Sequence, residues 1–422
     1  MLVYVLNSSG QPLMPTQRFG KVRRMLKSKQ AVIVNYEPFV IQLTYETTNY
    51  VQEVTLGVDT GSIHLGLSAT TEKRELYSSE TDFRSKKVKQ NLDSRRKVRR
   101  TRRSRLRYRS ARFNNRVKSK NRGWLAPSMQ HRIDSHLRVI DNVSRILPIK
   151  KYIIEIGIFD QQKMSDPYIS GEEYQNGQTV GFANVKAFVR FRDKNKCRQC
   201  NGKSKDKHIE VHHIQHKKDG GSDRPDNLVC LCHTCHRQYH DGKLKLKKFQ
   251  LNRANAKTLR DAAAMNIIKD RVLQDVREKY PDKEVNTTYG YITGWNRKKY
   301  NIDKTHANDA YVIAKNFHAK QLDYYFKGFQ VRRHNRQIYK DTFQKDGEPK
   351  KNQAEHLVFG FALNDRIRYN GDIYFVKWRR TKNEHFSLSD ASGKEVMNSV
   401  HHNKLRRISH ERSLIYKRIT KI

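Results

Sequence analysis

The order of apolar and polar positions predicts short strands separated by helices. An apolar start at residues 2–6, a basic stretch and the apolar run AVIVNYEPFVIQL (31–43) predict a small strand, helix, strand unit. In VTLGVDTGSIHLGLSA (54–69), two apolar runs flank a polar turn. This pattern predicts a buried strand that turns into its hairpin partner, with the carboxylate of Asp59 at the turn.

The later pattern alternates between helices and strands. Periodicity predicts an amphipathic helix near 132–147, a strand in KYIIEIGIF (151–159), a strand in VNTTYGYITGW (285–295) and a helix at 303–317. A long helix is predicted over 255–280, and its apolar side consists of Leu259, Ala263, Ile267, Ile268, Val272 and Val276. From about residue 319 the pattern is β-like, and Asn370-Gly371 marks a hairpin.

One internal stretch is strongly basic. Residues 84–122 contain nineteen Lys and Arg and a single acid, Asp93. Arginines recur at spacings of three and four, so a helix here carries them on one face. Their like charges repel each other and weaken the isolated helix, so we expect the helix to become ordered when it binds phosphates. The alternative is a solvated basic tail, but this stretch lies between apolar strands. The candidate nucleic-acid contacts are Arg95, Arg96, Arg99, Arg100, Arg102, Arg103, Arg105, Arg107, Arg109 and Arg112.

Charge supports a polyanionic partner for the whole chain. The 422 residues include 86 Lys and Arg against 42 Asp and Glu, a net charge of +44. A 20-base-pair duplex carries roughly 40 phosphates, which is close to this excess. A ribosomal or architectural protein is the alternative class. No window approaches about 18 consecutive apolar residues and no leader precedes the first apolar run, so neither membrane spanning nor secretion is expected.

The cysteines predict metal binding in a reducing compartment. All five lie between Cys197 and Cys235. Two C-x-x-C pairs supply the four thiolates of a structural zinc site, whereas the fifth cysteine, Cys230, lies in an apolar run and is assigned to the core. The four proposed zinc ligands are Cys197, Cys200, Cys232 and Cys235.

Histidines accompany the two cysteine pairs. His212-His213 and Asn227 lie between the pairs, and His236 and His240 follow the second pair. Residues four apart share one helical face, so two imidazoles there can bind one divalent ion. A purely structural zinc finger is the alternative, but it leaves the histidine pattern unexplained.

The order HH, N and CHxxxH between C-x-x-C brackets resembles the HNH endonucleases and their ββα-metal fold. The resemblance implies that His213 is the general base, that His212, His236 and His240 hold one Mg²⁺-like ion, and that Asn227 braces the loop that orients His213. Some relatives carry Asp or Asn at the positions of His212 and His236, so the choice of ligands among the three histidines stays open.

A second group of polar residues lies in apolar surroundings. Asp59 and Glu155 each occur within an apolar strand, where an ionised acid is costly unless it is paired. His306 and Asp309, three residues apart, share a helical face. Such a set suits two-metal phosphodiester hydrolysis, with ions about 4 Å apart. For Glu155 alone, the alternative is a strand-end acid paired with Lys or Arg.

In this order, with the contexts VTLGVDTGS, KYIIEIG and HANDA, these residues resemble the split RuvC nuclease of the RNase H fold. The combined order of RuvC piece, arginine helix, RuvC piece, HNH and RuvC piece resembles type II CRISPR effector nucleases and their short transposon-encoded relatives, the IscB proteins. The length and the PLMP string at residues 12–15 favour IscB.

The resemblance implies an α/β fold: an RNase H-like split RuvC domain with an inserted ββα-metal HNH domain, an arginine-rich bridge helix, a small α+β N-terminal domain and a β-rich C-terminal domain. The predicted boundaries are 1–52 for the PLMP-type domain, 53–83, 126–178 and 246–318 for RuvC segments I to III, 84–125 for the bridge helix, 179–245 for HNH and 319–422 for the C-terminal domain.

By the same resemblance, a monomeric protein binds an ωRNA-type guide RNA and a double-stranded DNA target. HNH cuts the guide-paired strand and RuvC cuts the displaced strand, with Mg²⁺ at both sites and structural Zn²⁺. The C-terminal domain touches the guide RNA and the target-adjacent motif, and such a complex is cytoplasmic and nucleoid-associated in a prokaryote. Two alternatives remain: a homing-type endonuclease that reads DNA through protein contacts, and a guided DNA-binding protein that does not cleave.

Overall fold

The computed structural model describes residues 1–104, 125, 127–157, 182, 184–216, 219, 221–246, 260–332, 355–411 and 413–421. The chain divides into two compact units, one formed by Met1–Gly157 with Ile267–Ile422 and the other by Ile158–Asn266. The second unit is therefore an insertion in the sequence of the first. The predicted seven-part division is finer than this and stays a prediction.

The chain begins with the predicted strand, helix, strand unit. Its elements are β1 (Tyr4–Leu6), α1 (Phe19–Lys27), β2 (Ala31–Tyr36) and β3 (Phe39–Leu43). The sheet order is β1-β3-β2, with β1 parallel and β2 antiparallel to β3. Val22 and Met25 of α1 pack on this sheet against Val3 and Ile41, which buries the apolar side of a helix that is otherwise basic.

The next segment builds the centre of the first unit. It contains β4 (Val54–Thr60), β5 (His64–Thr70), β6 (Glu75–Asp82), α2 (Ser85–Ser104), α3 (Pro127–Ser144) and β7 (Ile149–Ile156). β4, β5 and β6 form an antiparallel meander, which confirms the predicted hairpin after Asp59, and β7 pairs parallel to β4. The basic stretch is helical as far as Ser104, and its remainder, with Arg105, Arg107, Arg109 and Arg112, lies outside the described residues.

The inserted unit contains α4 (Val185–Arg192), β8 (Ile209–His213), β9 (Leu228–Cys232) and α5 (His233–His240). β8 and β9 pair antiparallel and α5 follows β9 directly, so the unit has the ββα order that the resemblance implied. Its core contains Val189, Ile209 and Leu231. Cys230 is fully buried in this core, as predicted.

After the insertion the chain returns through α6 (Arg260–Lys279), β10 (Glu284–Tyr289), α7 (Gly290–Lys299), α8 (His306–Ile313) and β11 (Tyr324–Gln330). Ile268, Val272 and Val276 of α6 are fully buried, as predicted, whereas Ile267 is exposed. Leu259 lies outside the described residues, and α6 is described at Ala263 by its backbone alone.

The predicted strand at 285–295 is wrong in its second half. The strand ends at Tyr289, and residues from Gly290 onward are helical. Tyr and Thr favour strands locally, but tertiary packing overrides this preference. At Gly290 the backbone lies against the Glu155 carboxylate, since an added Cβ would be only 3.4 Å from Glu155 Oε1.

The C-terminal residues form two structures rather than one. β12 (Arg366–Tyr369), β13 (Asp372–Arg380), β14 (His385–Ser389), β15 (Glu395–His401) and β16 (Arg406–Ser409) make a sheet of order β15-β14-β13-β12-β16. The turn at Asn370-Gly371 joins β12 to β13 with both residues at positive φ, which confirms the hairpin.

The last strand, β17 (Leu414–Thr420), pairs with β11, and β11 pairs with β6. The central sheet therefore has seven strands in the order β10-β7-β4-β5-β6-β11-β17. Two of them follow residue 319, a contribution to the central sheet that the sequence pattern did not indicate. No helix of the described residues is both long enough and apolar enough to cross a membrane.

Candidate active sites

Four cysteines converge at one end of the inserted unit. The Sγ atoms of Cys197, Cys200, Cys232 and Cys235 all lie within 4.8 Å of one another, and those of Cys200 and Cys232 are 3.8 Å apart. Burial raises the pKa of Cys197 and of Cys235. Burial also acts to raise the pKa of Cys200, but hydrogen bonds with Ser204 and backbone groups lower it to about 6. Such a set fits Zn²⁺, whose charge stabilises buried thiolates.

Three histidines of β8 and α5 converge in the same unit. Ligand nitrogens of His212, His236 and His240 lie within 4.8 Å of one another, and the Nε2 atoms of His236 and His240 are 3.2 Å apart. Nε2 of the buried His212 has no hydrogen-bond partner. An orphaned imidazole nitrogen that faces two others fits a divalent metal ion, which supplies the missing partner.

Burial and neighbouring charge disfavour protonation of two of these histidines, His212 and His236. Burial, and then the neighbouring His236, His216 and His240, lower the pKa of His212 to about 4. Burial also lowers the pKa of His236 against the opposing effect of Glu210. Because a metal ligand must be an unprotonated imidazole, these shifts prepare the site for an ion at neutral pH.

Glu210 contacts the histidine trio, and the sequence analysis missed it. Its Oε2 lies 2.6 Å from Nδ1 of His236, so a proton at Nδ1 is held there and Nε2 faces the other histidines. The signal was present in the sequence, because residues two apart on a strand share one face and Glu210 lies two positions before His212. His216 was also missed, and its Nε2 lies 3.2 Å from the hydroxyl of Tyr239.

His213 and Asn227 lie beside this trio. Nε2 of the half-buried His213 is 2.8 Å from Oδ1 of Asp223, a pairing that the sequence did not indicate. Asn227 is fully buried, accepts a hydrogen bond from the Gln215 N–H at 2.8 Å, and donates to the Ser222 carbonyl at 2.8 Å. Asn227 thus ties both ends of the loop that follows His213.

The second group, which we call the acid site, consists of Asp59, Glu155, His306 and Asp309. Asp59 lies on β4, Glu155 lies on the adjacent parallel strand β7, and α8 packs across β4 and β5 with the other two residues on it. Nδ1 of His306 is 2.6 Å from Oδ2 of Asp59, and this hydrogen bond raises the pKa of His306. Three distant segments of the sequence therefore meet at the C-terminal ends of β4 and β7.

Two glycines allow α8 to approach the sheet. A Cβ on Gly57 would lie 2.0 Å from the Ala310 carbonyl oxygen, and a Cβ on Gly66 would lie 1.9 Å from that of His306. No side chain fits at either position unless the helix moves. The pattern LGVDTGSIHLG thus sets the distance between Asp59 and His306.

Each carboxylate of the acid site is paired with a basic side chain. Glu155 Oε1 lies 3.2 Å from Nζ of the buried Lys269, and Asp309 Oδ1 lies 3.2 Å from Nε of Arg297. Glu155 is therefore paired with a lysine, as the alternative stated, and it also belongs to the acid site. Burial, and then Asp59, raise the pKa of Asp309 to about 6 despite Arg297. Asp59 and Glu155 both act on Asp309 electrostatically, and a site with several carboxylates suits divalent cations.

His64 also contacts the acid site, and the sequence analysis did not single it out. Its ring stacks on that of His306 at a centroid distance of 5.2 Å, and its Nδ1 lies 2.6 Å from Oδ1 of Asp82. Lys327 pairs with both Glu80 and Asp82 at 2.7 Å. These contacts hold His64 in place beside His306.

Arginines of the basic stretch lie on α2. Among those whose side chains are described, Arg95 is half-buried and Arg96 and Arg100 are exposed. The backbone places Arg99, Arg102 and Arg103 on the same helix. Arg96 and Arg100 thus present their guanidinium groups to solvent, and contact of this helix with a polyanion stays a prediction.

The arginines of the five-stranded sheet differ in burial and in their bonding partners. Arg366 is buried and bonds Glu37 at 2.5 Å and Glu411 at 2.8 Å, so it holds the first and last parts of the chain together instead of facing a ligand. Arg379 donates to the His356 and Phe361 carbonyls at 2.7 Å. Arg368 is exposed.

Two known protein families match parts of the chain. The chain matches the RRXRR protein family over residues 3–177 and the HNH endonuclease family over residues 197–242. It is 38% identical over 66 residues to the Type IV methyl-directed restriction enzyme EcoKMcrA of Escherichia coli strain K12, which is 14% of this chain and 24% of that enzyme. The chain thus spans about a quarter of the curated relative it matches.

Two solved structures are also similar to parts of the chain. Streptococcus thermophilus Cas9 in complex with the AGAA PAM is 15% identical, with a TM-score of 0.31 over 52% of this chain and 30% of that chain. The Type II-C Cas9 enzyme from Actinomyces naeslundii is 16% identical, with a TM-score of 0.17 over 47% of this chain and 33% of that chain. From the family matches, the chain carries an HNH endonuclease domain at residues 197–242, preceded by an RRXRR-type segment.

Proposed function

We propose that the chain is an RNA-guided endonuclease of the IscB type that cuts both strands of double-stranded DNA. The observation that carries the proposal is the presence of two separate sites suited to phosphodiester hydrolysis, the histidine trio in the inserted unit and the acid site in the other. Two sites built from different residues suit the two strands of the target, because one strand is paired with the guide and the other is displaced. The net charge of +44 suits a protein that holds RNA and DNA together.

In the HNH site, His213 is the general base that takes a proton from the attacking water. Asp223 orients its ring, and Asn227 fixes the loop beside it. An imidazole can accept a proton at neutral pH, and the pairing with a carboxylate stabilises the imidazolium that results. A divalent ion held by His212, His236 and His240 would offset negative charge on the scissile phosphate.

In the RuvC site, Asp59, Glu155 and Asp309, with His306, would hold two Mg²⁺ ions, which would supply charge stabilisation for phosphodiester hydrolysis. His306 lies against Asp59 and can exchange a proton with the attacking water. Lys269 and Arg297 neutralise Glu155 and Asp309. Burial and the nearby Asp59 raise the pKa of Asp309, and a bound cation would offset the same desolvation and repulsion.

The remaining parts take roles from the same resemblance. The arginines of α2 hold the backbone of the guide–target heteroduplex, because guanidinium groups bind phosphates without reading sequence. The five-stranded sheet contacts the guide RNA and the target-adjacent motif, and Arg368 is an exposed candidate there. The ribonucleoprotein works in a prokaryotic cytoplasm, near the nucleoid.

Strand-specific cleavage tests the proposal. With copurified guide RNA, Mg²⁺ and an end-labelled target, we expect His213→Ala to leave only cleavage of the displaced strand. We expect Asp59→Ala to leave only cleavage of the paired strand. The exposed His318→Ala and Asp282→Ala variants are matched controls that should cut both strands. A double-strand break by either single-site variant would contradict the assignment of sites.

The restriction-enzyme match favours a second candidate, a DNA endonuclease that selects its site without RNA. RNase treatment separates the two candidates. If cleavage of a defined site survives complete removal of RNA, the guided function is wrong and the second candidate stands.

A further inference from the structure

The outer face of α7 carries aromatic rings in solvent. Tyr291, Trp295 and Lys299 are four residues apart and share this face. Tyr291 is 75% exposed and Trp295 is 62% exposed, while Tyr289 stacks on Tyr291 at a centroid distance of 5.9 Å. Neighbouring exposed rings of this size are uncommon on a solvated surface and mark an interaction site.

Cations accompany these rings. Nζ of Lys299 lies 5.1 Å from the centroid of the Trp295 ring, and Lys298 is exposed beside it. Aromatic faces together with ammonium groups are complementary to a ligand that combines flat rings with negative charge. A second copy of this chain, which carries a net charge of +44, would not supply that charge complement.

The same helix forms a wall of the acid site. Gly290 separates Tyr289 from Tyr291 and lies against the Glu155 carboxylate, and the inner face places Arg297 on Asp309 at 3.2 Å. The outer rings are therefore one helix width or less from two of the acids. The rings and the contacts to Glu155 and Asp309 thus lie on one ten-residue helix.

We propose that Tyr289, Tyr291 and Trp295 form a stacking platform for unpaired bases of the single-stranded DNA that is cut at the acid site. The inference rests on the proposed function of that site. Every base has a π-face, so stacking binds a single strand without regard to sequence, whereas bases inside a duplex are already stacked on each other. Lys298 and Lys299 hold the phosphates on either side of the stacked bases.

Fluorescence of 2-aminopurine tests the platform. The full chain, purified with its RNA, is titrated against a single-stranded oligo-dT that carries one 2-aminopurine, in Ca²⁺ to prevent cleavage. We expect quenching with the wild type. Trp295→Ala should weaken binding roughly 5- to 100-fold and reduce the quenching, because one base stack is lost. Trp295→Phe should restore most of both, since a ring is retained.

A matched control removes an exposed tyrosine elsewhere. Tyr50 is 95% exposed and lies outside α7, so Tyr50→Ala should bind as the wild type does. If Trp295→Ala and Tyr291→Ala both bind and quench like Tyr50→Ala, the platform is wrong. It is also wrong if a 2-aminopurine in the guide RNA, but none in the displaced DNA strand, is quenched through these residues.

Cleavage in Mg²⁺ separates this inference from the proposed function. If the wild type quenches the probe but cuts no guide-matched DNA, the guided nuclease fails and the platform stands. If the wild type cuts both strands and Trp295→Ala cuts the displaced strand at the same rate with the same quenching, the platform fails and the nuclease stands.

Discussion

A single methyl group at Gly66 tests whether the acid site depends on close packing of α8. An alanine Cβ there would lie 1.9 Å from the His306 carbonyl oxygen, whereas real Cβ contacts under 3.0 Å are essentially never seen. The helix must therefore withdraw by at least about 1.1 Å, or the strand must bend by as much. The displaced residue is His306 itself, whose ring bonds Asp59 at 2.6 Å.

The expected effect follows from this displacement. A shift of about 1 Å in a positioned group can cost on the order of 100-fold in rate. Overpacking of a core contact destabilises by about 1–3 kcal/mol. We therefore expect Gly66→Ala to lower cleavage of the displaced strand roughly 100-fold and to reduce the free energy of unfolding, while cleavage at the HNH site continues.

The assay measures both strands and stability in one preparation. Single-turnover cleavage of a duplex labelled on each strand gives the two rates, and urea titration gives the free energy of unfolding. Gly20→Ala is the control, because a Cβ there meets nothing within 4 Å and alanine favours a helix. Wild-type cleavage of the displaced strand by Gly66→Ala, at wild-type stability, would refute the reasoning.

Three further predictions concern other parts of the chain. Replacing both Cys197 and Cys232 by Ser should remove one zinc per chain by elemental analysis and unfold the inserted unit, whereas Cys230→Ala should keep the zinc. Folding lowers the pKa of His212 from 6.5 to about 4, so the unfolded chain takes up this proton at a higher pH than the folded chain does. The free energy of unfolding without metal should therefore fall as the pH drops from about 6.5 to about 4, and His212→Asn should show a weaker pH dependence. Arg366→Met should cost about 3–5 kcal/mol in urea unfolding because Glu37 and Glu411 lose their partner, while Arg368→Met should change stability by less than about 0.5 kcal/mol.

The parts of the fold that depend on local pattern were predictable. The hairpin after Asp59 and the turn at Asn370-Gly371 follow from apolar runs around residues that turn easily, and both occur. The approach of His236 to His240 was foreseen from their spacing of four on one helix, whereas the place of His212 beside them followed only from the resemblance to HNH endonucleases.

Several other long-range contacts were not predictable from the local pattern. No spacing links Glu155 to Lys269, which lie on opposite sides of the inserted unit in the sequence. The strand β17 joins the central sheet through β11, a pairing that no periodicity encodes. The helix after Tyr289 was missed because the local propensity of its Tyr and Thr residues favours a strand, whereas packing in the folded chain favours a helix.

The ion pair between Glu155 and Lys269 makes the inserted unit separable in principle. Glu155 lies two residues before the first unit ends at Gly157, and Lys269 lies two residues after it resumes at Ile267. The points where the chain leaves and re-enters the first unit are therefore close together, and a short linker can replace everything between them. An inserted domain whose two ends lie close together can be gained, lost or exchanged without rebuilding the sheet. Here Glu155, one partner of the ion pair between those ends, is also a residue of the acid site.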